Sequence, residues 1–404
     1  MTAPGGSGGL LPAVELARRR EKEIVELRRW FHRHPEQSQR EIETAAKIRE
    51  ELEKIGVEYR TVGETGTVGI IRGARRGPVV ALRADIDALE IEEENDISFR
   101  SLTPGMMHAC GHDTHTAALL AAARILWEER ESLGGTVKLI FQPAEELGRG
   151  AAAIRGSGLV DDANAFFGLH VTPSLRTGQI SLAEGTVMAG ANSLHIIIRG
   201  RGGHAATPHA ARDAVVAGSA IVTALQQIVS RRTDPVSPAV VTVGMFHAGT
   251  RGNIIADRAE LTGTVRIVSE EERERIAETV VGIVNGIAAA YDVSAQTECA
   301  YSTGLVVNSP ELLPVVRAAA ASVVSEAGLV REPVRMAADD FYEYGRIAPL
   351  FYAMVGVNGG QREDVPAPLH NGRFFPDEAA LPIEAAIHVE FVRKYTAGLA
   401  GRAI

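Results

Sequence analysis

Three short apolar runs of strand type each carry the chain to residues that do chemistry. Pro78–Arg83 (PVVALR) ends in Ala84-Asp85-Ile86-Asp87, and Thr136–Phe141 (TVKLIF) ends in Gln142-Pro143-Ala144-Glu145-Glu146. Ala165–Val171 (AFFGLHV) holds His170 at its end. Nearly continuous apolar runs this short read as strands buried on both faces. Stretches with helical periodicity stand between and before them, at Glu15–Phe31, Glu41–Ile55 and Thr116–Glu129. Buried strands alternating with helices predict an α/β sheet covered on both faces. In such sheets, ligand and catalytic groups collect at the carboxyl ends of the strands.

The pattern changes near Gly185. Leu194–Arg199, Ala239–Phe246 and Arg258–Val268 read as strands, and another begins near Val293. Asp213–Arg232 reads as a helix with Ile221, Leu225, Ile228 and Val229 on one stripe. A second helix follows Ser269, with Glu272 three residues on in the manner of a capping box. Its stripe is Ile276, Val280, Ile283 and Ile287. The order strand, helix, strand, strand, helix, strand is ferredoxin-like. It predicts an inserted α+β domain over residues 186–298, splitting a first domain into 13–185 and 299–404. Residues 1–12, rich in glycine, read as a flexible tail without the charged leader and apolar core of a signal peptide.

Bulk properties exclude several classes. A formal net charge of -9 gives no electrostatic footprint for nucleic acid. Two cysteines, Cys110 and Cys299, do not make a disulfide scaffold, and the expectation is a reducing, cytoplasmic setting. No apolar run is expected to span a membrane; Ala117–Trp127 is short and interrupted by Arg124.

The densest chemical signal is Met107-His108-Ala109-Cys110-Gly111-His112-Asp113-Thr114-His115. A thiolate and an imidazole two residues apart suit zinc or another transition ion. Asp85, Asp87, Glu145, Glu146 and His170 add carboxylates and an imidazole at the strand ends, and His370 in Leu369-His370-Asn371-Gly372, in a polar proline-rich loop, is a candidate to complete the set. A metal pair acidifies a water, and a spare carboxylate takes its proton and hands it to the leaving amine. Two adjacent glutamates can divide those roles, but residue chemistry alone does not say which does which. A cysteine hydrolase using Cys110 and His112, and a non-catalytic metal-holding protein, are the competing readings.

Taken together, LRADIDAL (Leu82–Leu89), MHACGHDTH (Met107–His115), QPAEE (Gln142–Glu146), GLHV (Gly168–Val171), GGHAATPH (Gly202–His209), GTVR (Gly263–Arg266) and LHN (Leu369–Asn371) resemble the amidohydrolase branch of the aminoacylase and carboxypeptidase metallopeptidase family. Hippurate hydrolases and auxin–amino acid conjugate hydrolases belong to that branch. The resemblance implies a mixed-sheet catalytic domain with two divalent transition ions, zinc or manganese ahead of nickel or cobalt. It implies Cys110, His112, Glu146, His170 and His370 as ligands and Glu145 as general base, then general acid. Asp87 would steady the site from behind. Asp85 stands where relatives in other branches carry a metal-binding histidine. The inserted domain would be a lid and homodimerisation surface. There His204 would stabilise the oxyanion, in relatives sometimes from the partner subunit, and Asn253 and Arg266 would contact substrate. The implied reaction is hydrolysis of an N-acyl amino acid, with dipeptidase or carboxypeptidase action on the same centre as the alternative. The chain departs from the family at Glu90, where relatives carry Pro, and at Asp339, where relatives carry Glu.

Overall fold

A computed structural model describes residues 10–360 and 367–400, so most of the expected tail lies outside the described residues. In chain order the principal elements begin with helices α1 (Ala13–Arg18), α2 (Glu21–Arg33) and α3 (Ile42–Ile55). Strands β1 (Glu58–Val62), β2 (Gly66–Arg72) and β3 (Arg75–Asp85) follow, then α4 (His112–Glu128) and β4 (Gly134–Gln142). Next come α5 (Gly150–Gly156), β5 (Ala165–Arg176) and β6 (Ile180–Ser181). The middle of the chain holds β7 (Gly190–Arg199), α6 (Ala214–Gln227), β8 (Val240–Ala248), β9 (Arg258–Ile267), α7 (Glu270–Ala290) and β10 (Ser294–Thr303). The chain closes with α8 (Leu313–Ala321), β11 (Leu329–Val330), β12 (Leu350–Asn358) and α9 (Leu381–Ala400).

Two compact units result, one of residues 1–185, 307–332 and 340–404, the other of 186–306 and 333–339. The first is built on a mixed eight-stranded sheet in the order β1-β2-β4-β3-β5-β12-β6-β11. Its centre, β4-β3-β5-β12, is parallel, and β1 and β2 run antiparallel at one edge. The three apolar runs that open the chain's reading are three of those four central strands. Val80, Leu82, Leu139, Phe141, Phe167 and Leu169 from the sheet share one buried core with α4 and α9. Burying each such side chain is worth about 1.5–3 kcal/mol.

Two readings of the first unit are corrected. The helix expected over Glu15–Phe31 is broken at Arg19 and Arg20 into α1 and α2. Helix α4 starts four residues earlier than its apolar pattern indicates, at His112. Its first turn is polar, but each of those side chains has a buried partner or backs onto the chain, so burial rather than pattern decides where the helix begins.

The second unit is an antiparallel sheet in the order β8-β9-β7-β10. With α6 and α7 it has ferredoxin-like topology. Leu194, Ile196, Ile198, Leu261 and Val265 meet Ile221, Leu225, Ile276, Val280 and Val284 in its core. Ser269 caps α7 by accepting the Glu272 N–H at 3.2 Å. Val229, expected on the buried stripe of α6, is 41% exposed because α6 passes into a π-turn at Ile228–Arg232 and rotates it outward. Helical residues Ala214–Arg232 do reach the length and hydropathy of a membrane span, contrary to expectation, but their buried face packs in this core.

Candidate metal centre

The residues named at the strand ends converge in the first unit. Cys110 and the N-terminus of α4 are set by Gly111, whose φ of 88° turns the chain sharply from loop to helix. Glu145 and Glu146 follow β4 through Ala144, a non-glycine residue at φ 53°. His170 leaves β5, and His370 sits at φ 60° in its own loop. Left-handed backbone at non-glycine residues costs on the order of 1–3 kcal/mol and clusters at functional sites.

Their donor atoms form overlapping triads, Cys110–His112–His170, Cys110–Glu146–His370 and His112–Glu145–Glu146, each within 4.8 Å. Cys110, His112 and Glu146 each belong to two of them, so the triads form one continuous donor cluster that would hold more than one ion. The Cys110 sulfur is 3.4 Å from His170 Nε2, and His370 Nε2 is 3.4 Å from Glu146 Oε1. His112 Nε2 and Glu146 Oε1 face each other at 4.0 Å. Both are buried without a hydrogen-bond partner among the described residues. Two such acceptors accommodate a cation midway, at about the 2.0–2.2 Å of zinc–nitrogen and zinc–oxygen bonds.

The ring tautomers fit the same reading. His112 donates its Nδ1 proton to the Asp87 carbonyl at 2.9 Å, and His170 donates its own to the Val171 carbonyl at 2.7 Å. Each Nε2 is thereby left as a lone pair facing the cluster. Asp87 also accepts the Ser38 hydroxyl at 2.6 Å and the Glu146 N–H at 3.1 Å. Burial opposes its ionisation, but bonds from His112, Ser38 and Glu146 hold it below the ordinary carboxylate range.

The protein's own field asks for positive charge. Burial, then Glu146, Glu145 and Asp85, push the Cys110 thiol well up. Burial opposes charge on His112, yet Asp85, Asp87 and Glu146 push it up to about 10. Those carboxylates would favour a cation among them, and a bound cation would bring the thiol to the thiolate a ligand must be.

Asp85 Oδ2 also faces His112 Nε2, at 3.6 Å, but the carboxylate has bonded partners of its own. It accepts from His115 Nδ1 at 2.5 Å and from Arg83. His115 Nε2 accepts the Val171 N–H at 3.0 Å, so neither ring nitrogen of His115 is left for a metal. This pair ties the end of β3 to the residue after His170. His108 is buried with neither nitrogen partnered among the described residues, and burial lowers it to about 4.

His204, Asn253 and Arg266 belong to the second unit. There His204 pairs with Ile254, and the Ala205 N–H donates to the Asn253 carbonyl at 3.2 Å, so these two predicted residues are neighbours. His204 Nδ1 accepts the Ala206 N–H at 3.0 Å, which leaves the neutral ring's proton on Nε2. His204 and Asn253 are exposed. Arg266 is half-buried, which lowers its pKa, and has no ion-pair or hydrogen-bond partner among the described residues.

Sequence reasoning did not single out the residues that brace this centre. Arg28 Nε and His32 Nδ1 both donate to Asp113 Oδ2 at 2.8 Å, and His32 Nε2 donates to Glu93 Oε1 at 3.1 Å. All four are buried. Asp113 lies within the cysteine–histidine motif, but Arg28, His32 and Glu93 lie in polar helical and loop stretches that resemble any solvated surface, and only contact across the fold distinguishes them.

The chain matches Peptidase family M20/M25/M40 over residues 81–394. It is 38% identical to N-acetylcysteine deacetylase of Bacillus subtilis, over 91% of this chain and 95% of that one. It is 36% identical to thermostable carboxypeptidase 1 of Saccharolobus solfataricus, over 92% and 95%. With IAA-amino acid hydrolase ILR1-like 4 of Arabidopsis thaliana it shares 38% over 92% and 85%. Its fold superposes on the YXEP protein of Bacillus subtilis, a dinuclear metal binding peptidase from the M20 family, with a TM-score of 0.82 and 34% identity, covering 94% of this chain and 99% of that one. Similarity of sequence and fold thus extends along nearly the whole chain, and the protein belongs to Peptidase family M20/M25/M40, a hydrolase of metallopeptidase type.

Proposed function

We propose that the protein hydrolyses the amide bond of small N-acyl amino acids, releasing a carboxylic acid and a free amino acid. The observation that carries this is the convergence of the Cys110, His112, Glu146, His170 and His370 donor atoms in overlapping triads, with Glu145 beside them. Cys110, His112, Glu146, His170 and His370 would hold two divalent transition ions, zinc or manganese by this reading, with nickel or cobalt compatible with the same mixed thiolate, imidazole and carboxylate set. When bound, such ions polarise a carbonyl and lower the pKa of a water. Glu145 takes the proton of the attacking water and delivers it to the departing nitrogen. Asp87 keeps His112 in the tautomer a ligand needs. His204 offers its Nε2 proton to the developing oxyanion, a role worth about 3–4 kcal/mol where one such donor has been removed. Asn253 and Arg266 are assigned to substrate, the unpaired Arg266 guanidinium suiting a carboxylate.

A dipeptidase or carboxypeptidase activity on the same centre is the second reading, favoured by similarity to a thermostable carboxypeptidase. We also infer a homodimer through the second unit, whose edge strand β8 exposes Met245 and Phe246 and whose helix α6 exposes Val215 and Val216. Both cysteines are free, in keeping with a reducing setting such as the cytoplasm.

The test is elemental analysis together with hydrolysis of acetyl-, benzoyl- and aminoacyl-amino acids before and after chelation. About two ions per chain, with acyl substrates preferred and activity lost on chelation, support the proposal. Turnover indifferent to chelation would point to a cysteine hydrolase, and bound metal without turnover to a metal-holding protein.

A further inference from the structure

We propose that Glu41, a buried carboxylate outside the metal-facing set, is a positioning residue for Glu145 and Glu146, holding Ala144 in the left-handed turn on which both are mounted. The inference rests on the reading of Glu145 and Glu146 given above.

Ala144 has no side chain able to bond its own backbone, as Asn or Asp would in this region of φ. Its φ of 53° must therefore be imposed from outside. Downstream, its carbonyl accepts the N–H groups of Arg149 and Gly150 at 3.2 and 3.3 Å, and the Glu145 carbonyl accepts that of Gly148 at 2.7 Å. Those bonds close the turn after the glutamates. Upstream stands Pro143, which has no N–H to give. The anchor on that side is the Ala144 N–H, donated to Glu41 Oε1 at 2.8 Å.

Glu41 is fully buried, and its second oxygen has no hydrogen-bond partner among the described residues. Burying a carboxylate with an unsatisfied oxygen is costly. As a bare helix cap the residue would be poorly chosen, because its side chain makes no cap bond to α3. Its bond reaches across the fold instead. Three residues earlier Ser38 donates to Asp87 Oδ2, which accepts the Glu146 N–H. One short segment, itself turned at Gln39 with φ 68°, thus braces the backbone on both sides of Glu145. Ala144 is held directly and Glu146 through Asp87.

A group held this way loses geometry without losing its side chain when the brace is removed. Supporting contacts of this kind are worth about 10–100-fold in metal affinity or activity. Glu41→Ala should weaken metal binding by about 10-fold or more in competition with a chelator, and lower kcat by a similar factor with KM within about twofold. Glu41→Gln, whose amide oxygen can still accept the Ala144 N–H, should stay within about threefold of the parent. The decisive variant adds Ala144→Gly to Glu41→Ala. Glycine takes positive φ without steric cost, so metal affinity should recover by about threefold or more. If Glu41→Ala proves unable to fold, Ala144→Val in the native background replaces it. A β-branched residue opposes the turn while Glu41 stays intact, and the same loss of metal affinity is expected.

Glu41→Ala with unchanged metal affinity, or no recovery on adding Ala144→Gly, would overturn the inference. So would Ala144→Val with unchanged affinity. Metal affinity is read without substrate, so the absence of amide turnover in the parent protein would overturn the proposed reaction and leave the Glu41 result standing.

Discussion

Gly111 stands between Cys110 and His112, and a β-carbon there would lie 2.4 Å from Val171 Cγ2. Its φ of 88° is also one that other residues resist. Gly111→Ala should therefore destabilise the protein by about 1–3 kcal/mol. It should also spread Cys110 from His112, so that calorimetry and chelator competition both report the change. Glu145 makes the complementary case. Glu145→Gln keeps the shape and removes the base, so turnover should fall by about 10²–10⁴-fold while elemental analysis finds metal content unchanged; retained activity would sink the assignment. The donors at this scale were readable because cysteine, histidine and glutamate are conspicuous at strand ends. The division of labour between Glu145 and Glu146 was not, since it turns on which oxygen faces His112.

Helix α4 carries the centre's first turn, and α2 locks it in place. Arg28 and His32 on α2 reach Asp113 on α4, and His32 extends to Glu93. Burial and Arg28 would lower the His32 pKa, but its bonds to Asp113 and Glu93 raise it above its ordinary 6.5. The folded value exceeds the unfolded one, so this histidine's contribution to stability is fully present below about pH 6.5 and is lost as pH rises through the folded value. Thermal melts should show Tm falling on that alkaline side, and His32→Gln should flatten this component. A slope unchanged by the substitution would remove His32 from the lock. The polar start of α4 hid from periodicity for the same reason. His112, Asp113, Thr114, His115 and Thr116 are all buried, and His112, Asp113 and His115 find partners far away in sequence.

At the scale of the whole molecule, the open question of assembly rests on β8. An edge strand with exposed apolar side chains invites pairing with a second copy. Sedimentation should give twice the 43.1 kDa chain, and Met245→Lys should weaken the dimer by about tenfold, or 1.4 kcal/mol. A monomer at all concentrations would refute the inferred dimer. Chelation should also lower Tm, by linkage, because the ions bind the folded chain.

The sequence by itself determined an α/β sheet covered on both faces, the strand–helix order of the second unit and the roster of candidate donors. Those depend on local apolar periodicity and on residue type, which the chain states outright. The tertiary structure alone decided that Asp85 is spent on His115 and Arg83, that α4 begins at His112, and that Ser38 and Glu41 brace the residues around Glu145. A buried polar group takes its role from the partner that satisfies it, and such partners are supplied by contacts between residues distant along the chain.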